Sequence, residues 1–306
     1  MWSFDTASNT WKPALVILRI DRAALDVKWS NDGLRFGVAS GAKSVPVCTY
    51  EAANDWWVCK MIKKKFKSTV LCVSFHPSNG QLLATGCADF KCRVFSTFAT
   101  DVDGTAVNAG PFSTSNGGTG PLEFGEAYCE LSSGGWVHAV AWSPAGNCLA
   151  FAGHDSSVTV ADFGGGHPNE PVLRVVRLKE LPACCLLFMS DNLLVSGGHD
   201  FAPLLIAGDT GGHWRVAGRL EKPTIINDNS STTTSGASAA RELFRNKTVK
   251  GQELSSDGLK TCHERPITCM MPRPYRGLST SALDGRVVLW DLGDPALLAG
   301  MENLQV

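Results

Sequence analysis

Three histidines lie close in the sequence to two aspartates, and together these residue types could carry out acid–base chemistry. His138, His154 and His199 supply imidazoles, and Asp155 and Asp200 directly follow two of them. A carboxylate beside an imidazole can orient it as a general base. However, these residues recur at equivalent positions of a repeated pattern, described below. A structural hydrogen bond in a turn therefore accounts for them better than catalysis does.

Other motifs that an enzyme would need are missing from the sequence. Gly164-Gly165-Gly166 is not followed by the Lys-Ser/Thr of a phosphate-binding loop. The eleven cysteines include no Cys-x-x-Cys pair, and Cys87 and Cys92 bracket a turn without a histidine pair at zinc spacing. We therefore predict a protein that has no catalytic site, no cofactor and no metal.

Five segments of the chain share one pattern, and this repeat predicts the fold. Each segment has an apolar strand, a turn rich in Ser, Pro, Asn and Gly, a second apolar strand and then small residues. The segments begin near residues 25, 71, 138, 184 and 267. A turn aspartate can accept backbone N–H bonds and so fix the next hairpin. Four of the five segments have such an aspartate: Asp89, Asp155, Asp200 and Asp284.

The repeats predict an all-β, WD-repeat β-propeller in which residues 1–306 form a single domain. Continuous apolar runs are typical of strands buried on both faces, as they are when four-stranded blades stack around an axis. A third strand follows each turn, and the last one ends in Trp290-Asp291, the dipeptide that names the WD repeat. Two intervals are too long for one blade, so we expect inserted segments at 97–121 and 222–262.

The strands that we count do not fill a whole ring. Half a blade precedes residue 25, formed by Trp2–Asp5 and Pro13–Ile20, and four whole blades and three strands of another follow. Either the N-terminal strand completes a five-bladed ring, or the chain is a seven-bladed propeller without its beginning. The second alternative would place further residues before Met1.

Several stretches that a general WD repeat does not predict resemble one family. They are WKPALVILRI from Trp11, NDWWVCK from Asn54 and CADFKCRVFS from Cys87. They are similar to the WD-repeat subunit of the actin-related protein 2/3 complex, which nucleates branched actin filaments. The resemblance covers nearly the whole chain. It implies a seven-bladed propeller that is N-terminally incomplete here, with about five to five and a half blades.

One part of the second insertion, residues 238–248, has the pattern of a short amphipathic helix. Ala240, Leu243 and Phe244 fall on one face, and Arg241 and Arg245 lie four residues apart on another. Such a helix either docks in a partner's groove or packs on its own propeller. The resemblance implies the first, because the family has a similar helix here that contacts the mother actin filament. The predicted contact residues are Ala240, Arg241, Leu243, Phe244, Arg245 and Asn246.

A run of lysines forms a second candidate site. It has no acidic residue between Asp55 and Phe66, and it comprises Lys60, Lys63, Lys64, Lys65 and Lys67. Lysines on an exposed outer strand can protect its edge from pairing with another sheet, and a positive patch can instead bind an acidic segment. The resemblance implies acidic tails of nucleation-promoting factors, although Lys65-Phe66-Lys67 departs from the family's proline-containing version.

These observations predict a structural, non-catalytic subunit of the actin-related protein 2/3 complex. Its expected partners are the other subunits, the actin filament and the acidic tails, and its expected location is the cytoplasm, with the actin cytoskeleton of the cortex and cell projections. A formal net charge of −1 and the lack of an apolar run of ~20 residues argue against nucleic-acid and membrane partners. The alternative is a WD-repeat scaffold of another assembly, such as a ubiquitin-ligase substrate receptor.

Overall fold

The strands of this chain form successive antiparallel sheets around a common axis. The computed structural model describes residues 1–51, 54–103, 112, 122–164, 170–220, 261–274 and 277–292. In these residues, four sheets have four strands each, one has three and one has two. The predicted all-β propeller is therefore confirmed, with five blades in the described part of the chain.

Within each blade, strands that are neighbours in the sheet are also consecutive in the sequence. An N-terminal hairpin consists of β1 (Trp2–Asp5) and β2 (Thr10–Pro13). Blade 1 consists of β3 (Ala24–Trp29), β4 (Arg35–Ser40), β5 (Val45–Glu51) and β6 (Trp56–Ile62). Blade 2 consists of β7 (Val70–His76), β8 (Asn79–Cys87), β9 (Lys91–Ser96) and β10 (Ala127–Ser132), with a short helix α1 (Thr100–Asp103) after β9.

The remaining three blades follow the same order. Blade 3 consists of β11 (Val137–Trp142), β12 (Cys148–Gly153), β13 (Ser157–Asp162) and β14 (Val172–Arg177). Blade 4 consists of β15 (Ala183–Ser190), β16 (Leu193–Gly198), β17 (Leu204–Gly208) and β18 (Trp214–Arg219). Blade 5 has three strands in the described residues, β19 (Ile267–Arg273), β20 (Gly277–Ala282) and β21 (Val287–Asp291).

The hydrophobic core lies between the blades. All six residues of β4 are buried, and β8, β12 and β16 are nearly as enclosed. Between blades 2 and 3, for example, Leu149 and Phe151 share one apolar cluster with Leu82 and Val94. Because each sheet is apolar on both faces, stacking removes far more apolar surface from water than a lone blade could.

Small residues at the ends of the second strands let adjacent blades approach closely. At Gly86 of β8, an added Cβ would lie 2.5 Å from Cys72 Sγ and 2.7 Å from Val137 Cγ1 of blade 3. These distances are well inside van der Waals contact, so a larger residue would push blades 2 and 3 apart. The close approach of blades is one physical reason for the small residues in the repeat.

Each innermost strand has a bulge near its start. The register between the first and second strands of every blade skips one residue, and these residues are Leu25, Leu71, His138, Cys184 and Thr268. All five line a central cavity of about 190 Å³, together with the residues that follow them. Because a bulge changes the direction of a side chain, the residue that begins each repeat borders the propeller axis.

A buried network of hydrogen bonds joins the turn of blade 5 to its strands. His263 Nε2 lies 2.7 Å from Thr280 Oγ1, and His263 Nδ1 lies 3.3 Å from Asp284 Oδ2. The indole of Trp290 donates to the same Thr280 oxygen at 2.8 Å. Asp284 also accepts a bond from Glu264 N at 2.9 Å. The network therefore ties the connection that enters the blade to the turn, and it satisfies polar groups that are away from water.

Blade 2 makes the corresponding connection with an arginine. Arg93, almost fully buried on β9, donates from Nε to Glu130 at 2.7 Å and from Nη1 to Asp89 at 3.1 Å. Its guanidinium lies 5.9 Å from the centre of the Phe66 ring. Asp89 is the turn residue of this blade, so the ion pair joins the turn to the third and fourth strands.

The outward faces of the first and last blades are exposed. On β3, Val27 is 56% and Trp29 48% exposed, and on β21 Val287 is 67% and Leu289 59% exposed. Strand residues of the same types are covered where two blades face each other. Contiguous apolar surface of this kind is typical of a face that another protein element covers.

The N-terminal strands differ from the prediction. β1 pairs with β2 at Thr10–Pro13, whereas the sequence suggested a strand at Pro13–Ile20. Residues 14–20 have no regular secondary structure, and Val16 and Leu18 pack against the apolar cluster of blade 1 that contains Phe36. Burial of these side chains therefore takes the place of strand pairing.

The first predicted insertion is described only in part. Residues 104–111 and 113–121 lie outside the described residues, whereas Phe112 is buried among Tyr128, Trp142 and Phe163. Strand β10 begins at Ala127, because a turn with Gly125 at a φ of +83° precedes it. None of the helices in the described part of the chain has the length and apolar character needed to cross a membrane.

We predict that Thr280→Val destabilises the protein by about 2–4 kcal/mol. The hydroxyl serves both His263 and Trp290, and each buried group left without a partner costs about 1–3 kcal/mol. Urea-induced unfolding measures this change. Thr280→Ser keeps the hydroxyl and is the matched control. Equal stability of the valine and serine variants would contradict a structural role for this network.

Candidate functional site

The predicted acidic-partner patch lies mostly on one loop between blades 1 and 2. Strand β6 ends at Ile62, so Lys63, Lys64, Lys65 and Lys67 belong to the connection that leads to β7. All four are exposed. Lys60 is on the strand, half-buried, with Nζ 6.0 Å from the centre of the Phe124 ring. Protection of a strand edge can therefore apply only to Lys60.

Phe66 anchors the loop between these lysines. It is buried in the apolar cluster between blades 1 and 2, with its ring 5.1 Å from that of Phe95. On one side of it, Lys67 N donates to Asp89 Oδ2 at 3.1 Å. On the other side, Lys65 has a φ of 79°, which is uncommon for a residue other than glycine. The loop thus presents its lysines from a defined backbone.

The positive charge of the loop is not neutralised by nearby carboxylates of the described residues. Within that part of the chain, Lys63, Lys64, Lys65 and Lys67 form no ion pair, and Asp89, which accepts a bond from Lys67 N, is paired with an arginine. Asp89 and Glu130 both pair with Arg93, and Glu130 also lies 3.5 Å from Lys91 Nζ. Four exposed, unpaired ammonium groups on one loop create a local positive potential that can attract an anionic segment.

The predicted filament-contact residues, from Ala240 to Asn246, lie outside the described residues. So does the rest of the predicted helix at 238–248 and most of the insertion at 222–262. Blade 4 ends with β18 at Arg219, and the described chain resumes at Thr261, just before blade 5. The insertion thus begins and ends at the connection between these two blades.

The turn aspartates join each turn to the connection that enters the same blade. In three blades an aspartate Oδ2 accepts a backbone N–H from that connection, and the donors are Lys67 to Asp89, Leu181 to Asp200 and Glu264 to Asp284. Asp155 differs, because it accepts from Ser157 Oγ at 2.6 Å and from Arg177 Nη1 at 3.2 Å. A residue with positive φ follows each aspartate: Phe90, Ser156, Phe201 and Gly285.

The three histidines contact groups other than the aspartates that follow them. His138 Nε2 lies 2.8 Å from His154 Nδ1, across the first two strands of blade 3. In blade 4, His199 Nε2 lies 3.3 Å from Cys184 Sγ. Burial raises the pKa of Cys184, which disfavours the thiolate form of this side chain.

The His138–His154 contact requires that at least one ring is neutral at the shared nitrogen. Burial lowers the pKa of His138, and the charges of His154 and His199 lower it further. Among the described residues, no group of three or more His, Cys, Asp or Glu side chains is arranged to hold a metal ion. The arrangement suits a structural hydrogen bond that is sensitive to acid.

Two adjacent tryptophans on β6 have different environments. Trp57 packs against Phe36 and Tyr50, with ring centroids 5.2 and 5.3 Å apart, whereas Trp56 is 52% exposed. One of the two therefore faces the core and the other does not. Successive residues of a strand point to opposite faces, so Trp56 is available at the surface at the start of β6, whereas the lysine loop follows the end of that strand.

Comparison with known proteins now places the chain in a family. The WD domain, G-beta repeat family matches residues 58–96 and 127–162. Actin-related protein 2/3 complex subunit 1 of Schizosaccharomyces pombe is 40% identical over 93% of this chain and 77% of its own length. Subunit 1B of Arabidopsis thaliana is 37% identical and subunit 1A-B of Xenopus laevis 39%, each over 95% of this chain. The chain belongs to the actin-related protein 2/3 complex subunit 1 family.

The relatives extend beyond the aligned region, since this chain covers about three quarters of their length, 75–77%. A solved structure, "Structure of U3-55K", aligns with a TM-score of 0.57 over 90% of this chain and 62% of the other, at 14% identity. That likeness supports the propeller fold alone. Each matched WD repeat contains the outer strand of one blade and the three inner strands of the next, which links successive blades covalently.

Sequence reasoning missed the role of Phe66 and of Arg93. A single apolar residue in a run of lysines is a signal that the run is anchored, and it was available from the sequence. Arg93 lies among buried residues of β9, but its partner Glu130 is distant in the sequence. Only the pairing of β9 with β10 brings the two together.

We predict that the protein loses stability as the pH falls below about 6.5, in part because of His138. Its pKa is lowered in the fold, so the unfolded chain binds this proton more readily, and the stability present above the unfolded pKa is lost on acidification. Unfolding curves between pH 7.5 and 5.5 should show a weaker pH dependence for His138→Gln. His213→Gln, at an exposed ring, is the matched control. An unchanged profile for the His138 variant would refute this assignment.

Proposed function

We propose that this chain is a non-catalytic structural subunit of an actin-related protein 2/3 complex, and that it supports the nucleation of branched actin filaments. The observation that carries the proposal is the alignment of 93–95% of the chain with relatives named as subunit 1 of that complex. The NDWWVCK stretch that carries the resemblance includes the exposed Trp56 and the half-buried Lys60. Its partners are then the other subunits of the complex.

The geometry supports a binding role for this chain. His138 and His154 contact each other and His199 contacts the Cys184 thiol, and the stacked blades hold the loops in fixed positions. Exposed apolar residues on β3 and β21 suit a protein that is covered by other elements in an assembly. We place its site of action in the cytoplasm, at the actin cytoskeleton of the cortex and cell projections.

Affinity purification of the chain from its native cells tests the proposal. A tag at a permissive surface position, followed by identification of the co-purifying proteins, should recover two actin-related proteins and their companion subunits in stoichiometric amounts. Recovery of a different stoichiometric assembly, such as a ubiquitin ligase, would replace the proposal with the alternative scaffold function.

The helix at 238–248 is proposed to contact the mother filament through Ala240–Asn246. Leu243→Ala together with Phe244→Ala should weaken binding of the complex to filaments by about tenfold or more, because truncation of an apolar anchor often costs above ~1–2 kcal/mol. Branch counts in single-filament microscopy with the assembled complex measure the effect. Leu254→Ala, in the same insertion, is the matched control. Loss of soluble, assembled protein would show instead that the helix packs on the propeller.

The lysine loop is proposed to bind acidic tails of nucleation-promoting factors. Lys63→Glu, Lys65→Glu and Lys67→Glu combined should weaken the binding of an acidic tail peptide by about tenfold, with a smaller dependence on salt, because opposite charges across an interface steer association. Fluorescence anisotropy at two salt concentrations measures both effects. Lys179→Glu, on the equivalent connection between blades 3 and 4, is the control. Unchanged affinity of the triple variant would exclude the loop as the binding site.

A further inference from the structure

Two cysteines of blade 1 face each other across a strand pair. Cys48 on β5 and Cys59 on β6 are direct partners in the antiparallel register. Directly opposed residues have Cα atoms about 4.5–5.5 Å apart, which is within the ~4.4–6.8 Å that a disulfide spans. Both side chains belong to one apolar cluster, so they lie on the same face of the blade. Both are free thiols in this structure.

The N-terminal segment partly covers this pair. Val16 and Leu18 pack in the same cluster as the two cysteines, and the Arg19 guanidinium is close enough to Cys59 to act on its charge. Cys48 is fully buried, whereas Cys59 is only partly buried. A small polar oxidant can therefore reach Cys59 from the solvent, whereas the neighbouring Cys48 thiol is not accessible.

The protonation of the pair is asymmetric. A hydrogen bond with the Cys48 thiol lowers the pKa of Cys59, burial opposes the change, and the Arg19 charge lowers the pKa further. The same hydrogen bond, together with burial, raises the pKa of Cys48. By contrast, burial raises the pKa of the buried Cys87 thiol and of the partly buried Cys148 thiol to about 11. Cys59 is thus the more acidic thiol of the pair, and Cys48 is the proton donor in their hydrogen bond, as in redox-active dithiols.

We propose that Cys48 and Cys59 form a reversible redox site that a peroxide oxidises to an intramolecular disulfide and that a cellular dithiol reduces. The site needs no movement of the backbone, because the register already sets the two residues opposite each other. The cross-link would fix β6, which carries Trp56 and Lys60, to its neighbour β5.

The oxidation proceeds in two steps, and the atoms and electrons balance in each. The Cys59 thiolate attacks hydrogen peroxide; an S–O bond forms, the O–O bond breaks and hydroxide leaves, giving a sulfenic acid. The Cys48 sulfur then attacks the Cys59 sulfur; an S–S bond forms, the S–O bond breaks, and the departing hydroxide takes the Cys48 proton. The sum is two thiols and one peroxide giving one disulfide and two waters. Thiol–disulfide exchange with a dithiol reverses it.

The tryptic digest of this chain suits a direct test. Residues 44–60, between Lys43 and the cleavage site at Lys60, contain both cysteines in one peptide. The purified full-length chain is treated with hydrogen peroxide and then denatured in the presence of iodoacetamide, which alkylates free thiols. The tryptic peptides are analysed by mass spectrometry. After oxidation, we expect the mass of this peptide to be lower by two hydrogens and neither cysteine to be alkylated. Treatment with a dithiol should restore the mass and the alkylation of both cysteines. Alkylation of both residues at a peroxide dose that already oxidises Cys87 or Cys148 would overturn the proposal.

Single variants assign the roles within the pair. In Cys48→Ser, a sulfenic acid should accumulate on Cys59 and be trapped by dimedone, whereas Cys59→Ser should show no adduct on Cys48. Arg19→Gln should slow disulfide formation severalfold, and Arg19→Lys should restore it. Trapping on Cys48 in place of Cys59 would reverse the assignment. The peptide map of the wild-type chain requires no substitution, so the proposal can still be tested if a variant fails to fold.

Discussion

Each blade of this propeller has two apolar faces, and neither face can be buried within the blade itself. Stacking against the next blade is therefore the interaction on which the rest of the structure depends. It encloses β4, β8, β12 and β16 almost completely, and it requires the small residue at Gly86, where blades 2 and 3 meet. The same constraint leaves Val27 and Val287 exposed, on the faces where the stack of described blades ends.

Stacking of the blades removes polar groups in the turns from water, so these groups need hydrogen-bond partners within the protein. Blade 5 satisfies them with Asp284, His263, Thr280 and Trp290, whereas blade 2 uses an ion pair of Asp89 with Arg93. In both blades the turn aspartate also accepts a backbone N–H from the connection that enters the blade, from Glu264 in blade 5 and from Lys67 in blade 2. In blade 2 this connection is the lysine loop, which is the proposed binding site. Asp89 and Phe66 hold the loop in place. Structural hydrogen bonds thus fix the positions of the surface lysines.

The repeat made the architecture predictable, because two apolar strands with a turn between them recur in five segments, each followed by a third strand and four of them with a turn aspartate. The repeat also predicted structural hydrogen bonds for His138 and His199, and in the structure these histidines contact His154 and Cys184. Boundaries at the N-terminus were less predictable. Residues 14–20 are apolar enough for a strand, but burial of Val16 and Leu18 against blade 1 competes with pairing to β1.

The sequence by itself determined the propeller class, the order of the strands, the family and the lysine run, since these depend on local patterns and on stretches that are adjacent in the chain. Only the tertiary structure decided that β6 ends before Lys63, that Glu130 reaches Arg93, and that Cys48 faces Cys59. These facts depend on strand register and on the meeting of distant segments. A shift of one residue in a pairing would place each of these side chains on the opposite face, and no local pattern encodes that choice.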